Sequence, residues 1–70
     1  MTIQAILFKK KYWTAKRARK FLKENGFEPI KRVHETKNYY RYRLVEPDDE
    51  SNYITRKSST YPSILYIIKI

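Results

Sequence analysis

Seventy residues without a cysteine read as one small domain, residues 1–70, whose core no disulfide or cysteine-bound metal can staple. Sixteen Lys and Arg against seven Asp and Glu give a formal net charge of +9, which points to a polyanionic partner: nucleic acid, an anionic membrane or an acidic protein. The longest apolar run, "ILYII" at 64–68, is far too short to cross a bilayer as a helix, and the N-terminus lacks the charged-then-apolar signature of secretion.

In chain order, "TIQAILF" (2–8) is a strand pattern rich in β-branched and aromatic residues. "KKKY" follows, and then "WTAKRARKFLKENGF" (13–27) reads as one short helix. Thr14 is a good N-cap and Trp13 before it can staple the entry. Ala15, Ala18, Phe21, Leu22 and Asn25 fall on one side of the helical wheel, and Lys16, Arg19, Lys20 and Lys23 on the other. Asn25-Gly26 ends the helix, with Gly26 placed for the left-handed conformation and Phe27 for a contact back to Leu22. Pro29 blocks continuation.

"IKRVHE" (30–35) and "YYRYRLV" (39–45) flank "TKN" as a hairpin. Alternation puts Tyr40, Tyr42 and Leu44 on one face, under the helix, and Tyr39, Arg41, Arg43 and Val45 on the other. "EPDDESN" (46–52) is an acidic turn or loop. "YITRKSSTYP" (53–62) holds a short strand and then a loop. "SILYIIKI" (63–70) is apolar on both faces, as expected of a strand inside a sheet. The expected fold is α+β: a small β-α-β-β-β domain, one helix packed on a largely antiparallel three- to four-stranded sheet. One helix covers one face, so the second face calls for cover from the 46–62 loop or from another chain.

The charge is unevenly spread. Residues 1–23 hold eight Lys and Arg and no acid, and residues 46–70 carry four acids and three bases. The first helical turn should favour acids, which complement the partial positive charge of a helix N-terminus. It holds Lys16, Arg17 and Arg19 instead, and the like charges at i, i+3 and i+4 repel. A bound polyanion reverses both penalties.

The set Trp13, Thr14, Ala18, Phe21, Leu22, Lys23, Gly26, Phe27, then Thr36, Asn38, Tyr40, Arg41, Tyr42, Arg43, Pro47, Thr55 and Arg56 resembles a pattern found in short proteins of nucleocytoplasmic large DNA viruses. It is also similar to the N-terminal module of a phage head-associated serine protease family. The chain departs from that pattern at "STYPS", where the family carries a glycine-containing turn, and in its more acidic "PDDESN". The resemblance implies a small α/β domain, a viral origin, and a virion or host-interior (cytoplasm or nucleus) setting with nucleic acid at hand. It implies no catalytic residues.

No constellation for catalysis is present in the sequence. His34 is the only histidine, and Glu35 beside it points to the other face of a strand. No metal-ligand spacing and no glycine-rich phosphate loop occur. The expectation is therefore a binding protein with no cofactor and no metal. Its candidate residues are the helix cations Lys16, Arg17, Arg19, Lys20 and Lys23, the strand arginines Arg41 and Arg43, and Lys9, Lys10 and Lys11 of "KKKY" with Arg56 and Lys57 of "TRKSST". Cations interleaved with tyrosines meet phosphates and stack on bases, although the alternation in "YYRYR" equally suits an ordinary strand with tyrosines inside. The first functional expectation is nucleic-acid binding, DNA or RNA, through phosphates with little reading of sequence. The alternatives are a virion structural or assembly protein that self-associates or docks on a virion protein through its second sheet face, and a viral inhibitor of a host nucleic-acid-handling complex. Membrane binding is not expected, because Phe21 and Leu22 are needed by the core.

Overall fold

The computed structural model describes residues 2–30, 32–46 and 52–70. These residues form β1 (Thr2–Lys9), α1 (Ala15–Glu24), β2 (His34–Glu35), β3 (Tyr39–Arg43), β4 (Tyr53–Lys57) and β5 (Ile64–Lys69). The strands make one sheet in the order β2-β3-β1-β5-β4, every pairing antiparallel. The fold is α+β as expected, with one strand more than the sequence indicated. Both 34–35 and 53–57 pair as edge strands, giving five strands rather than three or four.

Helix α1 starts and stops for local reasons. The Thr14 Oγ1 accepts a hydrogen bond from Arg17 N at 3.2 Å, satisfying one amide that has no intrahelical partner. At the other end Gly26 takes φ 77°. Phe27 N then donates to Leu22 O at 2.9 Å and Gly26 N to Lys23 O at 3.3 Å, the paired bonds of a Schellman stop. Ala18 and Leu22 are buried and Phe21 packs beside them.

The core lies between α1 and one face of the sheet. Ile6 and Phe8 of β1 stand opposite Tyr42 and Tyr40 on β3 and opposite Tyr66 and Ile64 on β5. Phe8 sits edge-to-face with Trp13, Phe21 and Tyr42, at centroid distances of 5.1, 5.7 and 5.7 Å. Each such pair contributes about 0.5–1.5 kcal/mol beyond the area it buries, a large share of the stability of a domain this small. The Tyr42 hydroxyl donates to Ala15 O at 3.2 Å, tying β3 to the first residue of the helix. Burial pushes that hydroxyl above its ordinary pKa of 10.0, and the nearby Arg19 cation opposes the shift.

A bulge in β1 sets which residues reach this core. The pairing with β5 slips between Ile3 and Ala5, leaving Gln4 extra. The slip returns Ile3 to the helix side with Ile6 and Phe8, whereas uninterrupted alternation would place it opposite them. Gln4 is buried with both ends of its amide bonded: its Nε2 donates to Val45 O at 3.1 Å and its Oε1 accepts from Arg41 Nη2 at 3.3 Å. The bulge also ends β3 early, at Arg43 rather than Val45, because the amides of Leu44 and Val45 both turn onto Gln4 O. The first hairpin strand is shorter than its expected span of 30–35. Ile30 N reaches Arg43 O at 2.9 Å, but this edge segment has hydrogen-bond partners on one side only. Its regular ladder shrinks to the two residues beside the turn.

Candidate functional site

The sheet has a helix on one face, and no described element packs on the other. The 46–62 segment does not supply that cover among its described residues. Tyr53–Lys57 joins the sheet as an edge strand, and Tyr61 turns toward the helix side, edge-on to Trp13 and Phe21 at 5.8 and 5.7 Å. Of the acidic turn expected at 46–52, residues 47–51 lie outside the described residues.

Strand register fixes what this open face carries. Ala5 and Leu7 of β1 lie beside Leu65 and Ile67 of β5 at its centre. Arg43 stands opposite Ala5, Arg41 opposite Leu7, and Tyr39 opposite Lys9. On the far side Lys57 pairs with Leu65, Thr55 with Ile67 and Tyr53 with Lys69. The face therefore has an apolar centre bordered by Arg41, Arg43, Lys9, Lys57 and Lys69, with tyrosines at 39 and 53 and no carboxylate among its strand residues. The alternation of "YYRYR" thus places its tyrosines 40 and 42 toward the core and both arginines on the uncovered side.

The two arginines are held at a cost. Both are half-buried, and the Nε of each is buried without a hydrogen-bond partner among the described residues. Their stems lie along the sheet rather than standing into solvent. Among the described residues the Arg41 side chain has one hydrogen bond, donated to the bulge residue Gln4. Buried polar groups are almost always paired, so an exception needs an explanation, and an unbound ligand is one.

The other candidate residues fall into separate places. Lys16, Arg19, Lys20 and Lys23 are exposed on the outer side of α1, the opposite side of the molecule from the open face. The one carboxylate matched to that ridge among the described residues is Glu24, 3.9 Å from Lys20, with both side chains largely in solvent. Such a pair contributes little. Lys10 pairs with Glu35 at 3.1 Å and sits over the Tyr40 ring at 5.3 Å. Lys11 lies over Tyr12 at 5.6 Å. Arg17 leaves the ridge, donating from Nη1 to Tyr12 O at 3.1 Å with its guanidinium 5.1 Å from the Trp13 ring centroid. Arg56 stands opposite Tyr66 on edge strand β4, by register on the helix side.

The structure also joins "KKKY" to "TRKSST", stretches nearly fifty residues apart. Tyr12 N and Trp13 N both donate to Lys9 O at 3.0 Å, which closes the β1–α1 turn. Trp13 Nε1 donates to Ser63 Oγ at 2.8 Å and Lys9 N to Ser63 O at 3.0 Å, which holds the β4–β5 loop against that turn. Between them is an open cleft of about 510 Å³, lined by Lys9, Tyr12, Trp13, Arg17, Lys57 and Tyr61 together with Pro62 and Ser63. Among the described residues no carboxylate lines it. The aromatics Tyr12 and Tyr61 were not singled out from sequence. Their signal was an aromatic beside a basic run and beside a proline, with no indication that the two would meet.

Among the described residues no three His, Cys, Asp or Glu side chains gather where they could hold a metal ion. No helix there is long and apolar enough to cross a membrane. No protein-family model, curated protein or solved structure matches the chain.

Proposed function

We propose that the protein binds nucleic acid through its phosphates, with little reading of base sequence, and that the open sheet face is the principal contact. The observation that carries this reading is the bordering of an uncovered apolar face by Lys9, Arg41, Arg43 and Lys57 with no strand carboxylate among them. Phosphate oxygens satisfy guanidinium groups bidentately. Tyrosine and aliphatic surface between the cations accommodates bases of any identity. Nothing here resembles a recognition helix with base-reading side chains, so affinity should be dominated by charge. The helix ridge, facing the other way, adds to the long-range attraction rather than to the same contact. From the resemblance described above we read the protein as viral, acting in the virion or host interior.

Self-association through the same face is the second reading, favoured by its half-buried Leu7, Leu65 and Ile67. A two-fold stack about an axis running across the strands would, however, set the Arg41 and Arg43 of one copy over the same strand of the other, with no strand carboxylate between them. Like charges brought together in this way oppose a dimer by several kcal/mol. Fluorescence anisotropy of a labelled oligonucleotide, with light scattering on the free protein, tests the choice. The proposal expects a monomer that binds at low salt and is weakened by Arg41→Gln and Arg43→Gln. A dimer indifferent to nucleic acid overturns it.

A further inference from the structure

The cleft between the β1–α1 turn and the β4–β5 loop belongs to neither the helix ridge nor the centre of the open face. Its cations come from three elements: Lys9 from the end of β1, Arg17 from the first turn of α1 and Lys57 from the end of β4. Arg17 is already positioned, spending one N–H on Tyr12 O at 3.1 Å and lying over the Trp13 ring. Its remaining donors are available for a ligand. Tyr12 and Tyr61 are 55% and 45% exposed, although each is large and aromatic. Tyr61 is kept upright by edge contacts to Trp13 and Phe21. A volume near 510 Å³ falls within the roughly 300–1,000 Å³ usual for sites that take a small organic group.

We propose that this cleft receives one unpaired nucleotide of a single strand, its base against the rings of Tyr12 and Tyr61 and its phosphate on Arg17, Lys9 and Lys57. The inference rests on the nucleic-acid reading above and adds strandedness to it. Lys9 and Lys57 line the cleft and by register also border the open face, so a strand crossing the sheet is led to the cleft by a continuous line of cations. A free strand offers a base without penalty, whereas a duplex must unstack and unpair one first. An acidic peptide would meet the cations but bring no flat ring for the tyrosines.

Trp13 is the only tryptophan and lines the cleft, so its emission reports occupancy. The full chain is titrated at low salt with an oligothymidylate of about eight nucleotides, close to the span of small single-strand sites, with a blunt-ended DNA duplex at equal phosphate concentration, and with polyglutamate of equal charge. The oligothymidylate should quench Trp13. Tyr12→Ala and Tyr61→Ala should each weaken its binding by about tenfold, the scale of one lost base–aromatic stack, and leave the duplex's affinity unchanged. Oligothymidylate that binds by anisotropy with no change at Trp13 and no effect of either tyrosine overturns the cleft assignment and leaves the phosphate reading standing. Binding of neither nucleic acid ends both. Polyglutamate that perturbs Trp13 as strongly as oligothymidylate also overturns the nucleotide assignment. Should Tyr61→Ala fail to fold, Tyr12→Ala carries the test, since its ring lies outside the core cluster.

Discussion

Replacing Arg43 with leucine should make the free protein more stable and a poorer ligand binder. Arg43 stands on the open face two residues from Arg41, and its Nε is buried without a partner among the described residues. A buried unpaired donor costs about 1–3 kcal/mol. Same-face neighbours on a strand lie roughly 6.5–7 Å apart, so the two guanidiniums repel by about 0.6 kcal/mol in a water-like dielectric and about 2.4 kcal/mol at an effective dielectric of 20. Leucine removes both costs and retains most of the apolar contact made by the arginine stem. Allowing for lost stem packing, a net gain of about 1–2 kcal/mol follows, which raises Tm by roughly 5–15 °C in a domain of this size. Circular-dichroism melts of wild type and Arg43→Leu read the stability, and oligonucleotide anisotropy on the same samples reads the binding. A Tm that falls by several degrees would refute the reasoning, since it would mean that the guanidinium is held by favourable contacts and nothing is stored for a ligand.

The remaining predictions concern the helix and the core. Gly26→Ala should lower stability by about 1–2 kcal/mol, the cost of a left-handed L-residue; no atom lies within 4 Å of the added Cβ, so a larger loss in a denaturant titration would contradict the conformational explanation. Lys16→Glu places an acid in a first turn that has none and removes repulsion with Lys20, so the melt should show a gain of about 0.5–1.5 kcal/mol. The raised Tyr42 pKa means that the fold favours the neutral hydroxyl. Its stabilising contribution is complete below the unfolded value near 10 and is lost as pH rises through the folded value. Tyr42→Phe should therefore cost about 1 kcal/mol at neutral pH, through the bond to Ala15, yet soften the alkaline loss of stability above pH ~10; an unchanged alkaline limb would show that another group governs it.

What could be read from sequence was what is decided within a few residues. Thr14, Trp13 and Gly26 mark the helix ends because caps and stops are local hydrogen-bond geometry. The strict alternation of 39–44 assigns Tyr40 and Tyr42 to the core before any partner strand is known. The bulge at Gln4 was not legible, since it is a matter of register between β1 and a strand some sixty residues away. Strands were expected at 30–35 and within 53–62, but their extent and their place at the two edges of one five-stranded sheet depend on the neighbours they pair with. The same distance effect governs the site. The basic helix stripe stands out in sequence because its members share one element. The open face and the cleft draw residues from four strands, a helix and the loops between them, and Trp13 meets Ser63 only when the chain has closed. Arg17, grouped by sequence with the helix cations, is turned by Tyr12 O and Trp13 toward the cleft instead.

The most direct test of the central claim is the salt dependence of oligothymidylate binding between about 50 and 200 mM salt, where counterion release makes log affinity linear in log salt. With Lys9, Arg17, Arg41, Arg43 and Lys57 engaged, the slope should be roughly −3.5, at about −0.7 per neutralised phosphate of a single strand, and Arg43→Gln should flatten it by about 0.7. No binding at the low-salt end, or binding whose affinity does not change across the range, would contradict the account.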